Sequence, residues 1–251
     1  MIRIAALTVI LAWSPPADAM VGGAQPASDG AGRAVVMMTG SHGTFCSGVA
    51  LARDLVLTAA HCVLPGADYK LVEFDAARAP VLKDIATIVR HPEFDVNAVL
   101  RHRVTADVAL LNLSAPVKIV PALLAPPGAA VAAGDRFVVA GYGLALRGDG
   151  KTGGTVRAAT LVATGQPGTL QIRLADPTTK GERAGLGACT GDSGAPAFRD
   201  IGGALAVIGV VSWSTGPNMS DGCGGLTGVT PLTRYRAWIV EQAGKMGILL
   251  Q

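Results

Sequence analysis

The chain has 251 residues, half of them apolar and 16% charged, with a formal net charge of +3. That length and apolar share can bury a substantial core. No dense Lys/Arg stripe interleaved with aromatics runs through it, so nucleic acid is not an expected partner. Alanine, glycine and arginine are frequent and lysine is scarce, a composition that suggests a bacterial origin.

Residues 1–19 read as a signal peptide rather than part of the fold. Arg3 supplies a short positive start, 4–13 form an apolar stretch too short to span a membrane, and Ala17-Asp18-Ala19 fits the small-x-small cleavage rule. No later run is long and charge-free enough for a transmembrane helix, so an exported protein, periplasmic or secreted and without a stable membrane anchor, is expected. From 20 onward, short apolar runs alternate with turns at 34–38, 46–51, 55–58, 69–74, 83–90 and 107–113. Residues 116–135 are rich in Pro and Ala and read as a crossover. A second set of runs follows at 136–140, 154–164, 169–174, 195–199, 204–213 and 228–230. High glycine content and short β-branched runs favour an all-β architecture. The tail at 233–245 differs: Tyr235, Trp238, Ile239 and Gln242 recur at helical spacing, and Thr233 could cap the N-terminus.

Chemistry concentrates in Gly191-Asp192-Ser193-Gly194. A serine hydroxyl is a weak nucleophile at neutral pH and needs a base, plus donors for the anion it generates. Flanking glycines let the backbone bend sharply and turn N–H groups toward one point. Upstream, Thr58-Ala59-Ala60-His61-Cys62 holds an imidazole between a strand end and a cysteine. Asp107 opens the apolar run Val108-Ala109-Leu110-Leu111. A carboxylate there is costly to bury alone, and a His Nδ1–H donor would offset that cost while fixing the tautomer of a general base. Four cysteines in an exported chain imply disulfides, with three pairings open. A metal site is the alternative use, disfavoured by isolated positions and the lack of CxxC.

His61 in TAAHC, Asp107 in TADVALL and Ser193 in CTGDSGAP resemble the trypsin/chymotrypsin family of serine endopeptidases. The resemblance continues through Cys46-Ser47-Gly48, His91-Pro92, Gly141-Tyr142-Gly143, Ser212-Trp213 and Gly228-Val229. It implies two six-stranded antiparallel β-barrels, the first about 34–115 and the second about 136–230, with the active site in the cleft between them and a C-terminal helix. It implies a His61–Asp107–Ser193 triad, an oxyanion hole from the N–H groups of Gly191 and Ser193, and disulfides Cys46–Cys62 and Cys189–Cys223. It further implies an activating ion pair between Asp192 and a mature α-amine, which Met20 of Met20-Val21-Gly22-Gly23 would supply directly after signal cleavage. Gly187 falls at the floor of the specificity pocket, walled by Ala188, Thr190, Ser214 and Gly228, with Ser212, Trp213 and Ser214 pairing with an extended substrate. A floor without a carboxylate argues for an uncharged residue before the scissile bond (the P1 residue), apolar or medium-sized. Asp221, in the loop 215–222, could approach the pocket from another direction. Expected partners are protein or peptide substrates and protein inhibitors; the chemistry needs no cofactor and no metal, and a monomer is the default. A catalytically silent binding protein on the same scaffold is the alternative. A serine esterase is a weaker rival, lacking its G-x-S-x-G elbow.

Overall fold

The computed structural model describes residues 20–28, 30–164 and 170–250. The expected signal peptide lies outside these residues, as does the first residue of the run at 169–174.

The first barrel is built from β2 (Val35–Gly40), β3 (Phe45–Ala52), β4 (Leu55–Thr58), β5 (Tyr69–Phe74), β6 (Pro80–Arg90) and β7 (Ala109–Leu113), after a two-residue strand β1 (Gln25–Pro26). These six close antiparallel in the order β2-β3-β4-β7-β6-β5. A short helix α1 (Val96–Leu100), capped by the Asp95 side chain on Asn97 N–H at 2.9 Å, interrupts the β6–β7 connection. After β8 (Leu123–Leu124) come β9 (Arg136–Gly141), β10 (Arg157–Ala163), β11 (Ile172–Ala175), β12 (Pro196–Ile201), β13 (Ala204–Ser214) and β14 (Leu226–Pro231). β9 pairs with both β10 and β12, which closes β9-β10-β11-β14-β13-β12 into a second antiparallel six-stranded barrel. β1 is appended to β10, and β8 lies parallel to β13.

Strand alternation explains why so much of the chain is buried on both faces. In β4, Val56 points into the first barrel's core, whereas Leu55 and Leu57 point to the seam between barrels. There they meet Val207, Val210 and Phe198 of the second barrel. The C-terminal helix α2 (Arg236–Lys245) covers the same seam with Ile239 and Ala243. It starts three residues later than the sequence spacing predicts, and Thr233 does not cap it. A 3₁₀ turn over Leu232–Arg234 comes first, its end fixed by Tyr235 N–H on Leu232 O at 3.0 Å. Buried Leu232 and Tyr235 anchor that turn and set where the helix begins. No helix among the described residues is long and apolar enough to cross a membrane.

Candidate active site

The nucleophile loop is shaped by two glycines in the left-handed region, Gly191 at φ +94° and Gly194 at φ +79°. A Cβ on Gly191 would stand 2.3 Å from the Phe45 ring, and one on Gly194 would stand 2.1 Å from Thr58 Oγ1. Side chains are therefore excluded by space as well as by backbone conformation. Asp192 N–H donates to Cys189 O at 3.0 Å and Ala195 N–H to Asp192 O at 2.9 Å, folding the loop into consecutive turns. Gly194 N–H bonds Val211 O at 2.7 Å, and Ser47 N–H bonds Ser193 O at 2.8 Å. Ser193 is thus tied to both barrels.

Ser47 lies fully buried on β3, and in the sequence it stood out only as part of the marker Cys46-Ser47-Gly48. Its hydroxyl donates to Gly191 O at 2.9 Å and accepts from Tyr142 N–H at 2.9 Å. The peptide unit between Gly191 and Asp192 is therefore held at both ends, carbonyl by Ser47 and N–H by Cys189 O. Among the described residues, the N–H groups of Gly191 and Ser193 on either side donate to no protein acceptor. No local pattern could have revealed this contact, which joins residues 144 positions apart.

His61 sits in the 3₁₀ turn Ala60–Val63 that ends β4, clamped by the Cys46–Cys62 disulfide. Asp107 is completely buried and accepts three hydrogen bonds. His61 N–H reaches Oδ1 at 3.0 Å, His61 Nδ1–H reaches Oδ2 at 2.8 Å, and Ser212 Oγ–H reaches Oδ2 at 2.5 Å. A carboxylate only accepts, so Nδ1 carries a proton, and Nε2 is the nitrogen on which the neutral ring has its lone pair. Ser212 can reach because it is the extra residue of a bulge in β13, between the pairs Val211–Val229 and Trp213–Gly228. Ser193 is half-buried and its hydroxyl makes no hydrogen bond among the described residues, as is frequent in an unliganded site. Ligand-type atoms of Cys46, His61 and Cys62 cluster within 4.8 Å, but both sulfurs are spent in one disulfide and have no thiolate to offer a metal.

Asp192 is also fully buried. Among the described residues its carboxylate accepts only from backbone N–H groups, Gly143 on Oδ1 and Cys189 on Oδ2, each at 2.9 Å. Gly141 and Gly143 make its chamber, since a Cβ on either would come within 2.5 Å of the carboxylate. Burial pushes its pKa up to about 7, and the two N–H donors oppose the shift without cancelling it. Met20 is buried at 0% exposure in the second barrel's core with Phe137, Val139 and Leu161. Val21 then bridges Gly187, whose N–H bonds Val21 O at 3.3 Å.

Around the expected pocket, Cys189 is bonded to Cys223, Ala188 is buried, and Thr190 is exposed. Gly187 is buried beside the 20–22 segment, and Ser214 is half-buried with Oγ–H 3.4 Å from Gly222 O. Asp221 is exposed, and its carbonyl accepts from Arg147 Nη1 at 2.7 Å. Trp213 stacks on His102 at 4.9 Å and covers Gly228, where a Cβ would lie 2.0 Å from the indole. A Cβ on Gly228 therefore points at the indole, which corrects its sequence-register placing as a wall of the specificity pocket.

Two closed β-barrels with this nucleophile loop and this buried His–Asp pair define a serine endopeptidase. A family model described as Trypsin matches residues 21–239, and the chain belongs to that family. It is 29% identical over 222 residues to a vitellin-degrading protease of Bombyx mori, spanning 82% of this chain and 78% of the relative. It is 26% identical to a trypsin of Phaedon cochleariae, spanning 79% and 78%. A transmembrane protease serine 9 of Rattus norvegicus is 28% identical over 68% of this chain, but only 17% of that longer protein is matched. These three relatives come from insects and a mammal and give the bacterial reading of the composition no support.

Proposed function

We propose that Ser193, His61 and Asp107 form the triad of an exported endopeptidase that works through an acyl-enzyme. The observation that carries this reading is the three-donor grip on Asp107, which engages His61 Nδ1 and leaves Nε2 on the far side of the ring from the carboxylate. Nε2 takes the proton of Ser193 Oγ as that oxygen attacks the scissile carbonyl. The tetrahedral oxyanion is met by Gly191 N–H and Ser193 N–H, the two donors left without protein partners. His61 then passes its proton to the leaving amine, and water repeats the sequence on the ester. Asp107 stays ionised and stabilises the imidazolium.

Signal cleavage after Ala19 supplies the activating terminus in the same reading. The Met20 α-amine, ordinarily charged below about pH 8, pairs with the Asp192 carboxylate and so steadies the loop that carries both oxyanion donors. The peptidase domain then begins at Met20, with the barrels at about 34–115 and 136–230, the crossover at 116–135 and the helix at Arg236–Lys245. It cuts proteins or peptides after an uncharged P1 residue, is open to protein inhibitors, and acts as a monomer without cofactor or metal.

Treating the mature protein with an organophosphorus serine reagent, beside Ser193→Ala, tests the assignment. Stoichiometric labelling of the parent and none of the variant is expected. Labelling that survives the substitution, or never occurs in correctly processed protein, overturns it.

A further inference from the structure

On the proposed reading the P1 side chain enters between 187–190 and 212–214, and strand register decides which side chains wall that entry. Directly opposed residues on paired strands share a face, and successive residues alternate. Across β13 and β14 the pairs are Trp213 with Gly228 and Ser214 with Thr227. The Trp213 indole occupies the Gly228 face. The other face therefore carries Ser214 and Thr227, two side chains rather than an open glycine wall.

Thr227 is fully buried, and its Oγ1 accepts from Ala188 N–H at 3.0 Å. Its side chain thus crosses from β14 to the opposite wall. Deeper still, the walls meet: Gly185 N–H bonds Gly224 O at 3.0 Å. A Cβ on Gly187 would lie 3.1 Å from Gly224 Cα. Segments 185–188 and 224–227 are closed on each other by backbone, by close approach and by the Thr227 hydroxyl in turn.

We infer that Thr227 is the specificity-determining residue of this site and truncates the slot, so that the enzyme cuts after small uncharged residues of alanine or serine size. This rests on the reading of 187–190 and 212–214 as the walls that receive the P1 side chain. A leucine or phenylalanine at P1 has to displace packed Thr227 and strip the acceptor from Ala188 N–H. Forced methylenes in a packed site are penalised, and a pocket separates side chains that differ by one methylene by about tenfold or more. The slot differs from the medium-sized pocket expected from sequence because its wall holds Thr227 where an open Gly228 was expected.

Peptide anilides identical except for Ala, Ser, Leu, Phe or Lys at P1 test the inference on the mature enzyme, with active sites counted by the organophosphorus reagent. The expected result is a kcat/KM for Ala at least about tenfold above Leu and about a hundredfold above Phe and Lys. Thr227→Gly should raise the Leu-to-Ala ratio about tenfold. Thr227→Ser, which keeps the bond to Ala188 and loses only a methyl, should raise it less and guards against simple misfolding of the glycine variant. Equal cutting after Ala and Leu in a titratable parent, or a ratio that neither substitution moves, overturns this inference alone. A parent that cannot be labelled overturns the peptidase reading with it.

Discussion

Two aspartates are buried to the same depth in this molecule and are treated in opposite ways. Asp107, beneath the first barrel's histidine, accepts from a backbone N–H, an imidazole and a hydroxyl, all supplied by the site itself. Asp192, beneath the nucleophile loop, receives two backbone N–H groups and no side chain, and burial lifts its pKa to about 7. The first carboxylate is complete as folded. The second has a chamber, carved by Gly141 and Gly143, but among the described residues no side-chain cation bonds it. A buried carboxylate with too few partners is unfavourable as an anion, so a new positive group beside Asp192 would stabilise its ionised form.

Neutralising each carboxylate separates the two roles. Asp107→Asn places an amide against His61 Nδ1 and forces the wrong tautomer, so kcat should fall about 10⁴-fold with KM little changed. Asp192→Asn leaves His61 untouched but loosens the loop that aims Gly191 and Ser193 N–H groups, and a fall of about 10²- to 10³-fold is expected. Steady-state kinetics on both variants check this ordering. A larger loss from Asp192→Asn than from Asp107→Asn breaks the comparison.

A smaller effect distinguishes the leader-bearing chain from the cut one. In the uncut chain the folded Asp192 titrates near 7 against an ordinary value of 3.8, so the folded state binds the extra proton across that window. Stability of the uncut Ser193→Ala protein should therefore be fullest at low pH and decline as pH rises from about 4 to 7. In the cut protein the Met20 ammonium favours the carboxylate, and the decline should shrink or vanish. Denaturant midpoints of both forms at pH 4, 5.5 and 7 check it, and parallel profiles would count against an Asp192–Met20 pair.

The proposed triad was legible in the sequence because each member carries its own local pattern: a glycine-flanked serine, a histidine at a strand end, an aspartate opening an apolar run; the structure joins two of them, His61 and Asp107. Fold class was legible for a similar reason, in two sets of short apolar runs separated by turns. What escaped depends on contacts between distant segments. Ser47 holds Gly191 only because β3 passes under the nucleophile loop. The wall of the proposed slot turned on a single residue, since the bulge at Ser212 sets Gly228 opposite Trp213 and Thr227 opposite Ser214, and one step of register reverses a strand's faces. Helix α1 spans only Val96–Leu100, too few residues to show a helical period. The start of α2 was set by the buried side chains of Leu232 and Tyr235, which no capping pattern announces.

The central claim is that the cut which exports this chain also completes its active site. Intact mass and N-terminal sequencing of the exported, organophosphorus-reactive protein test it most directly. Reactive protein should begin at Met20, and protein with a blocked or extended amino terminus should fail to react. Fully reactive protein that begins anywhere else would contradict the account.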